Sequence, residues 1–303
     1  MRPALFALAF ATLLSRSAQA IPVRAFDDPG AALAAILDGR IKVAAFGEYH
    51  QTNATSGIPS AIGRFTNEML GVLGPRMSDL IVETMITNGN CGEVEKQAAA
   101  EVEQKTERPA STGNEVITLL ERAKKAGARP HILELSCVDW KRIHPSQKEG
   151  DTDFEQLLLV ITEKLHAGIR DALRRPPPPG KVVCVYGGAR HNDLHPEAVF
   201  REISFGPAVA KETKGKYLEI DLYVPEYVEH DEEVTKEPWY AEYKKGNQPG
   251  KTMLIERARN SWAIVFPRAS DGKSTPPPPS VPKSTTVPSQ NTSPHVGPAA
   301  PAR

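Results

Sequence analysis

The sequence predicts an α/β layered fold, helices packed over a mainly parallel or mixed central sheet. Two observations carry this. Short apolar runs at 43–46, 80–82, 132–137, 182–186 and 262–266 alternate with stretches of helical spacing, the pattern of strands joined by covering helices. The run VVCVY at 182–186 has no polar alternation, as expected of a strand buried on both faces of a parallel sheet.

The elements follow in order. Ile62, Phe65, Met69 and Leu73 share one helical face, and so do Val116, Leu119, Leu120 and Ala123, with Gly127 as the stop. The clearest helix covers 153–173, where Phe154, Leu157, Leu158, Ile161, Leu165 and Ile169 line up. Asp151 or Asp153 can cap its start, and the prolines at 176–179 end it. Pro196 suits the first turn of a further short helix. YLEIDLY at 217–223 alternates, with Glu219 and Asp221 opposite Leu218, Ile220 and Leu222. That pattern predicts a half-exposed strand near a sheet edge. The polar segment 225–260 carries no clear pattern.

Domain organisation follows from composition. Arg2, an apolar run at 4–14 and Ala18-Gln19-Ala20 have the layout of a signal peptide over 1–20. The run is too short to span a bilayer, which needs about 20 residues. Residues 269–303 hold nine prolines and ten Ser/Thr, without an aromatic, Leu or Ile. Such a segment buries too little to offset its ordering entropy. The reading is a signal peptide, one domain over 21–267 and a disordered tail over 268–303 that contacts the cell envelope. The chain would be exported, to the periplasm or beyond. Its 37 basic and 37 acidic residues balance, which excludes an electrostatic nucleic-acid binder. Of the three cysteines, Cys184 belongs to an apolar run. Three unpaired, buried thiols are the favoured expectation, with a Cys91–Cys137 bridge as the alternative.

In open α/β sheets, ligands sit beyond the carboxyl ends of the strands. Gly47-Glu48-Tyr49-His50 follows the first run, Glu83 follows the second, and Gly187-Gly188-Ala189-Arg190-His191 follows the fourth. In extended chain Glu48 and His50 point the same way and Tyr49 the opposite way. Glycines 47, 187 and 188 leave room for a close approach. Glu83 ends a run that should be buried, so it needs a partner. Arg190 is the expected one. His195, four residues beyond His191 in a turn before Pro196, stays open as a second ligand, and the remaining histidines read as solvated or structural. There is no HExxH or GxSxG motif, and the loop at 246–252 is one residue short of a phosphate-binding loop.

FGEYH (46–50), IVET (81–84) and YGGARHND (186–193) resemble the signature blocks of the superfamily of erythromycin esterases, Tiki and TraB-type proteins and ChaN-like haem-uptake proteins. The resemblance implies an α/β sandwich with Glu48, His50, Glu83 and His191 as site residues. Gln51 stands where ChaN-like members often carry Asp, and no His-His pair follows. By this resemblance the chain would hydrolyse an ester or amide of a small molecule or peptide. His50 or His191 would take a proton from water, Glu48 and Glu83 would orient base and water, and Arg190 or the glycine amides would stabilise the oxyanion. In a metal-assisted version Glu48, His50, Glu83 and His191 would hold zinc or manganese. The competing reading is a haem or iron binder in which Tyr49, His50 or His191 ligates iron. A third is a scaffold that has lost its chemistry and works through its tail.

Overall fold

The computed structural model describes residues 21–87, 90–146, 148, 150–175 and 177–269. The expected signal peptide over 1–20 and the expected tail from 270 onward lie outside these. One eight-stranded mixed sheet organises the chain, in the order β1-β7-β8-β6-β2-β5-β3-β4. Its strands are β1 (Val23–Phe26), β2 (Val43–Glu48), β3 (Met77–Thr87), β4 (Arg129–Leu135), β5 (Val182–Gly188), β6 (Tyr217–Tyr223), β7 (Thr252–Ala258) and β8 (Ser261–Val265). The six strands from β8 to β4 run parallel, and β7 is antiparallel to both β8 and β1.

Twelve helices flank the described sheet: α1 (Pro29–Ala34), α2 (Ala61–Arg64), α3 (Leu70–Leu73), α4 (Glu93–Thr106), α5 (Thr112–Lys125), α6 (Cys137–Ile143), α7 (Phe154–Arg174), α8 (Ala189–Asn192), α9 (Gly206–Glu212), α10 (Pro225–Val228), α11 (Glu232–Thr235) and α12 (Pro238–Gly246). Residues alternate across the strands into two cores. Ala44, Phe46, Leu80, Val82 and Tyr186 pack with α1–α3, α5 and α10–α12. Val43, Ala45, Ile81, Val183 and Val185 pack with α4, α6, α7 and α9 on the other face. None of the described helices is long and apolar enough to cross a membrane.

The central strand VVCVY is buried throughout, as its composition predicts. Asp153 caps α7 by accepting from the Gln156 amide at 3.0 Å. The predicted helix around Ile62–Leu73 is interrupted by a π-helical segment, Phe65–Met69. There Phe65 is wedged against Phe46 and Tyr186, with ring centroids 4.8 and 4.9 Å away.

Three expectations are corrected. β6 is no edge strand; it lies between β2 and β8 and is buried along its length. Its polar face is covered because Arg257 of β7 reaches across and pairs with both Glu219 and Asp221. Alternation of charge and apolar side chains therefore reflects a buried ion cluster, not solvent. Cys91 and Cys137 form a disulfide, with Cα atoms 5.2 Å apart. The favoured reading of three thiols missed that α4 and α6 pack together, bringing the two ends into range. Cys184 is a buried free thiol, and burial pushes its pKa up. Finally, the fold runs past 267: Arg268 pairs with Glu229, and the Ala269 amide donates to Glu226 at 2.8 Å.

Candidate active site at the carboxyl ends of β2, β3 and β5

Neighbouring strands β2 and β5 send their connections to opposite faces. The chain leaves β2 toward α2 and α3 in one core, and leaves β5 toward α8 and α9, where Val209 and the preceding Phe205 belong to the other. That divergence opens a crevice beyond the strand ends, the position where open α/β sheets bind ligands. Glu48, His50 and Glu83 line it, and His191, just beyond β5, is buried at the same sheet end.

Glu48 and His50 form a pair, with Oε1 and Nδ1 2.7 Å apart. The other carboxylate oxygen of Glu48 accepts from the Tyr186 hydroxyl, whose ring Phe65 holds in place. His50 Nε2 meets the Arg108 guanidinium. A guanidinium only donates, so Nε2 is the lone-pair nitrogen and Nδ1 carries the proton given to Glu48. Burial would push the Glu48 carboxyl up; the His50 hydrogen bond, the charge His50 takes on at the acid pH where this carboxyl titrates, and the Arg108 charge outweigh it and hold it below the ordinary range.

Glu83 and His191 approach from the α7 side. Glu83 Oε2 accepts from the Gly188 amide at 2.7 Å, and Oε1 lies 3.8 Å from Arg108. Burial again opposes ionisation, but at the acid pH where this group titrates the His191, Arg108 and His50 charges hold it down to about 2. His191 is buried. Its Nδ1 lies 2.8 Å from the Thr162 hydroxyl and 3.2 Å from the Ile203 carbonyl. A carbonyl only accepts, so Nδ1 carries the proton and Nε2 keeps its lone pair. Burial lowers the pKa of this ring against the raising effect of Glu83, so it is neutral at pH 7.

The glycines make the room expected of them, and site side chains fill it. A Cβ on Gly187 would lie 2.7 Å from Glu83 Oε2, and one on Gly188 would lie 2.9 Å from His50 Nε2. Gly47 instead admits Asp221 and Asn192 on the opposite face. Gln51 lines the cleft and fixes the following loop, donating to the Thr55 and Ile58 carbonyls at 3.1 and 2.6 Å.

Two expected residues are elsewhere. Arg190 does not reach Glu83; it is half exposed, pairs with Glu233 at 2.7 Å and stacks on Phe200. The arginine of the site is Arg108, which reading the strand ends missed. α4 packs in one core and α5 in the other, so the link between them crosses the sheet end. Glu107, in left-handed conformation at φ 48°, turns the chain there, and its carbonyl accepts from the Asn53 amide at 2.8 Å. Nothing local in the sequence marks this crossing. Tyr49 points away from His50, packs against the α-helical core and donates to Asp231. Burial and that bond raise its pKa.

Neither expected cofactor fits this arrangement. Among the described residues no group of three or more His, Cys, Asp or Glu is placed to hold a metal ion. Arg108 already supplies the cation between His50 and Glu83. For haem, of the three expected iron ligands Tyr49 is spent on Asp231 and both ring nitrogens of His50 are taken by Glu48 and Arg108, while His191 is buried.

The sequence matches no protein-family profile and no curated protein. A solved structure of the type III effector HopBA1 superposes with a TM-score of 0.42 at 13% identity, covering 82% of this chain and 98% of that one. A likeness at that level carries no functional argument.

Proposed function

We propose that the protein is an exported, metal-independent hydrolase that directs water at an ester or amide carbonyl. The observation that carries this reading is the convergence of a neutral, buried His191 held at Nδ1, an ionised Glu83 and the Arg108 guanidinium at one sheet end. Such a set provides a base, a counter-charge and an oxyanion partner in one low-dielectric crevice.

His191 Nε2 takes the proton of water as the water oxygen bonds to the carbonyl carbon. Thr162 and the Ile203 carbonyl hold the ring so that Nε2 faces the reaction. The Glu83 carboxylate offsets the imidazolium charge that forms. Arg108 turns from His50 to the developing oxyanion, and the Glu48–His50 pair fixes where that guanidinium starts. As the tetrahedral adduct collapses, His191 returns the proton to the leaving oxygen or nitrogen. The Cys91–Cys137 disulfide supports the exported part of the reading, because such bonds persist in oxidising compartments.

The test is turnover of a panel of aryl esters and anilides by His191→Ala and His50→Ala, each checked for an unchanged circular dichroism spectrum. Loss of turnover in both is expected. Folded variants that both retain wild-type rates refute the reading.

A further inference from the structure

We infer that Glu107 and Arg108, where α4 gives way to α5, form a strap that closes the cleft, with the Arg108 guanidinium as its latch; that a substrate carbonyl enters when the strap lifts rests on the hydrolytic reading. The cleft has two adjoining lobes, and Arg108 and Thr112 wall both. Each has room for about one water. A water therefore fits beside Glu48, His50 and Glu83, and an ester or amide group with its two substituents does not. Part of the wall has to move before such a group can meet the site.

The strands do not supply that movement. Glu48, Glu83 and Gly187 belong to β2, β3 and β5, which pair with one another in the middle of the sheet. Arg108 lies between elements, and its side chain is partly exposed at the mouth. α4 before it is docked away from the sheet end. The disulfide ties its start to α6, and Glu101 accepts from the Gly150 and Thr152 amides at 2.8 and 3.0 Å. After Arg108, Pro109 is buried, and its carbonyl accepts from the Thr112 amide at 3.0 Å as α5 begins. Glu107 and Arg108 thus bridge two anchored ends. Glu107 is left-handed, at φ 48° and ψ 29°, a conformation that favours glycine at a helix end and strains a residue with a Cβ. Contacts to the sheet end hold the strap down against that strain. The Glu107 carbonyl accepts from the Asn53 amide at 2.8 Å, and Arg108 reaches His50 and, at 3.8 Å, Glu83. Freeing the guanidinium removes the larger share of these contacts and clears both lobes at once.

The Asn53 amide reports the strap directly, because the Glu107 carbonyl covers it. The Thr55 amide, in the same turn, donates instead to the Thr52 carbonyl at 3.0 Å, and the Val183 amide donates to the Lys42 carbonyl at 2.9 Å where β5 begins. The experiment is native-state hydrogen exchange of the full mature protein, 15N-labelled and without substrate, in wild type and Arg108→Ala. We expect the Asn53 amide to exchange at least tenfold faster in the variant, the loss of hydrogen bonds made by a charged group, and to outpace any change at Thr55 and Val183. An unchanged Asn53 rate, or equal acceleration of all three amides, overturns the inference. If Arg108→Ala does not fold, wild type in low urea decides. A lifting strap exposes little surface, so Asn53 exchange stays flat while Val183 exchange climbs with urea; a parallel climb overturns the inference. No turnover enters these readings. Strap opening in a protein without ester or anilide hydrolysis refutes the hydrolytic role alone, and hydrolysis without strap opening refutes the strap alone.

Discussion

Gly188→Ala separates the site from the fold. Gly188 has φ −68° and ψ 141°, a conformation open to any L-residue. Its lack of a side chain is therefore a matter of room. An added Cβ would lie 2.9 Å from His50 Nε2, 3.4 Å from Cε1 and 3.6 Å from Glu83 Oε2. Ordinary contact begins near 3.5 Å, so the His50 ring must retreat by about half an ångström. That retreat strains a 2.7 Å contact with Glu48 and the contact with Arg108. Misplacement by 1 Å can cost about 100-fold in rate, so half of it suggests about tenfold. Stability should hold, since a Gly→Ala change at a compatible position gains roughly 0.4–1 kcal/mol through the unfolded chain. The assay pairs kcat/KM on an aryl ester with a thermal melt. A tenfold slower enzyme of unchanged or higher Tm is expected. A variant with wild-type kcat/KM would show that His50 and Glu83 need not be where the structure places them.

Other predictions concern separate parts of the molecule. Arg108→Ala should lower kcat by about 10²–10³-fold, the usual loss of an oxyanion partner, whereas Arg190→Ala should leave kcat near wild type; equal effects would reject the assignment. Arg257→Gln should destabilise by roughly 3–5 kcal/mol in urea unfolding, because it leaves Glu219 and Asp221 buried without their cation. A loss below about 1 kcal/mol would contradict that. Cys91→Ser opens a disulfide spanning 46 residues, which the chain-entropy relation values at about 4 kcal/mol; unchanged stability would show the bridge to be dispensable. The Glu83 carboxyl is held down to about 2 in the fold, below its unfolded range near 4.3. Its contribution is therefore present above that range and is lost as pH falls from about 5 toward 2. Glu83→Gln should flatten that limb of the stability curve.

Much of this was legible in the chain because it is local. Five strands follow from apolar runs and β6 from its alternation, and the strand-end reading found Glu48, His50, Glu83 and His191, which the fold gathers at one sheet end. What escaped depends on distant partners. Arg108 reaches the site only because α4 and α5 sit on opposite faces of the sheet. Arg190, beside His191 in sequence, is carried outward by α8 to Glu233. β6 imitates an exposed strand because its carboxylates meet Arg257, 38 residues further on in one pair, inside a segment whose polar composition hid β7. Glu115 sits on the helix predicted around Val116 and Leu119, but its partner is Ser60, 55 residues away.

The central claim is hydrolysis by this chain's own side chains at the β2–β3–β5 end of the sheet. Its most direct measurement is turnover of the aryl ester and anilide panel by purified mature protein after exhaustive chelation, with metal content measured on the same sample. The account predicts undiminished turnover in metal-free wild type and its loss in metal-free His191→Ala. Activity that vanishes on chelation and returns with added zinc or manganese would contradict it.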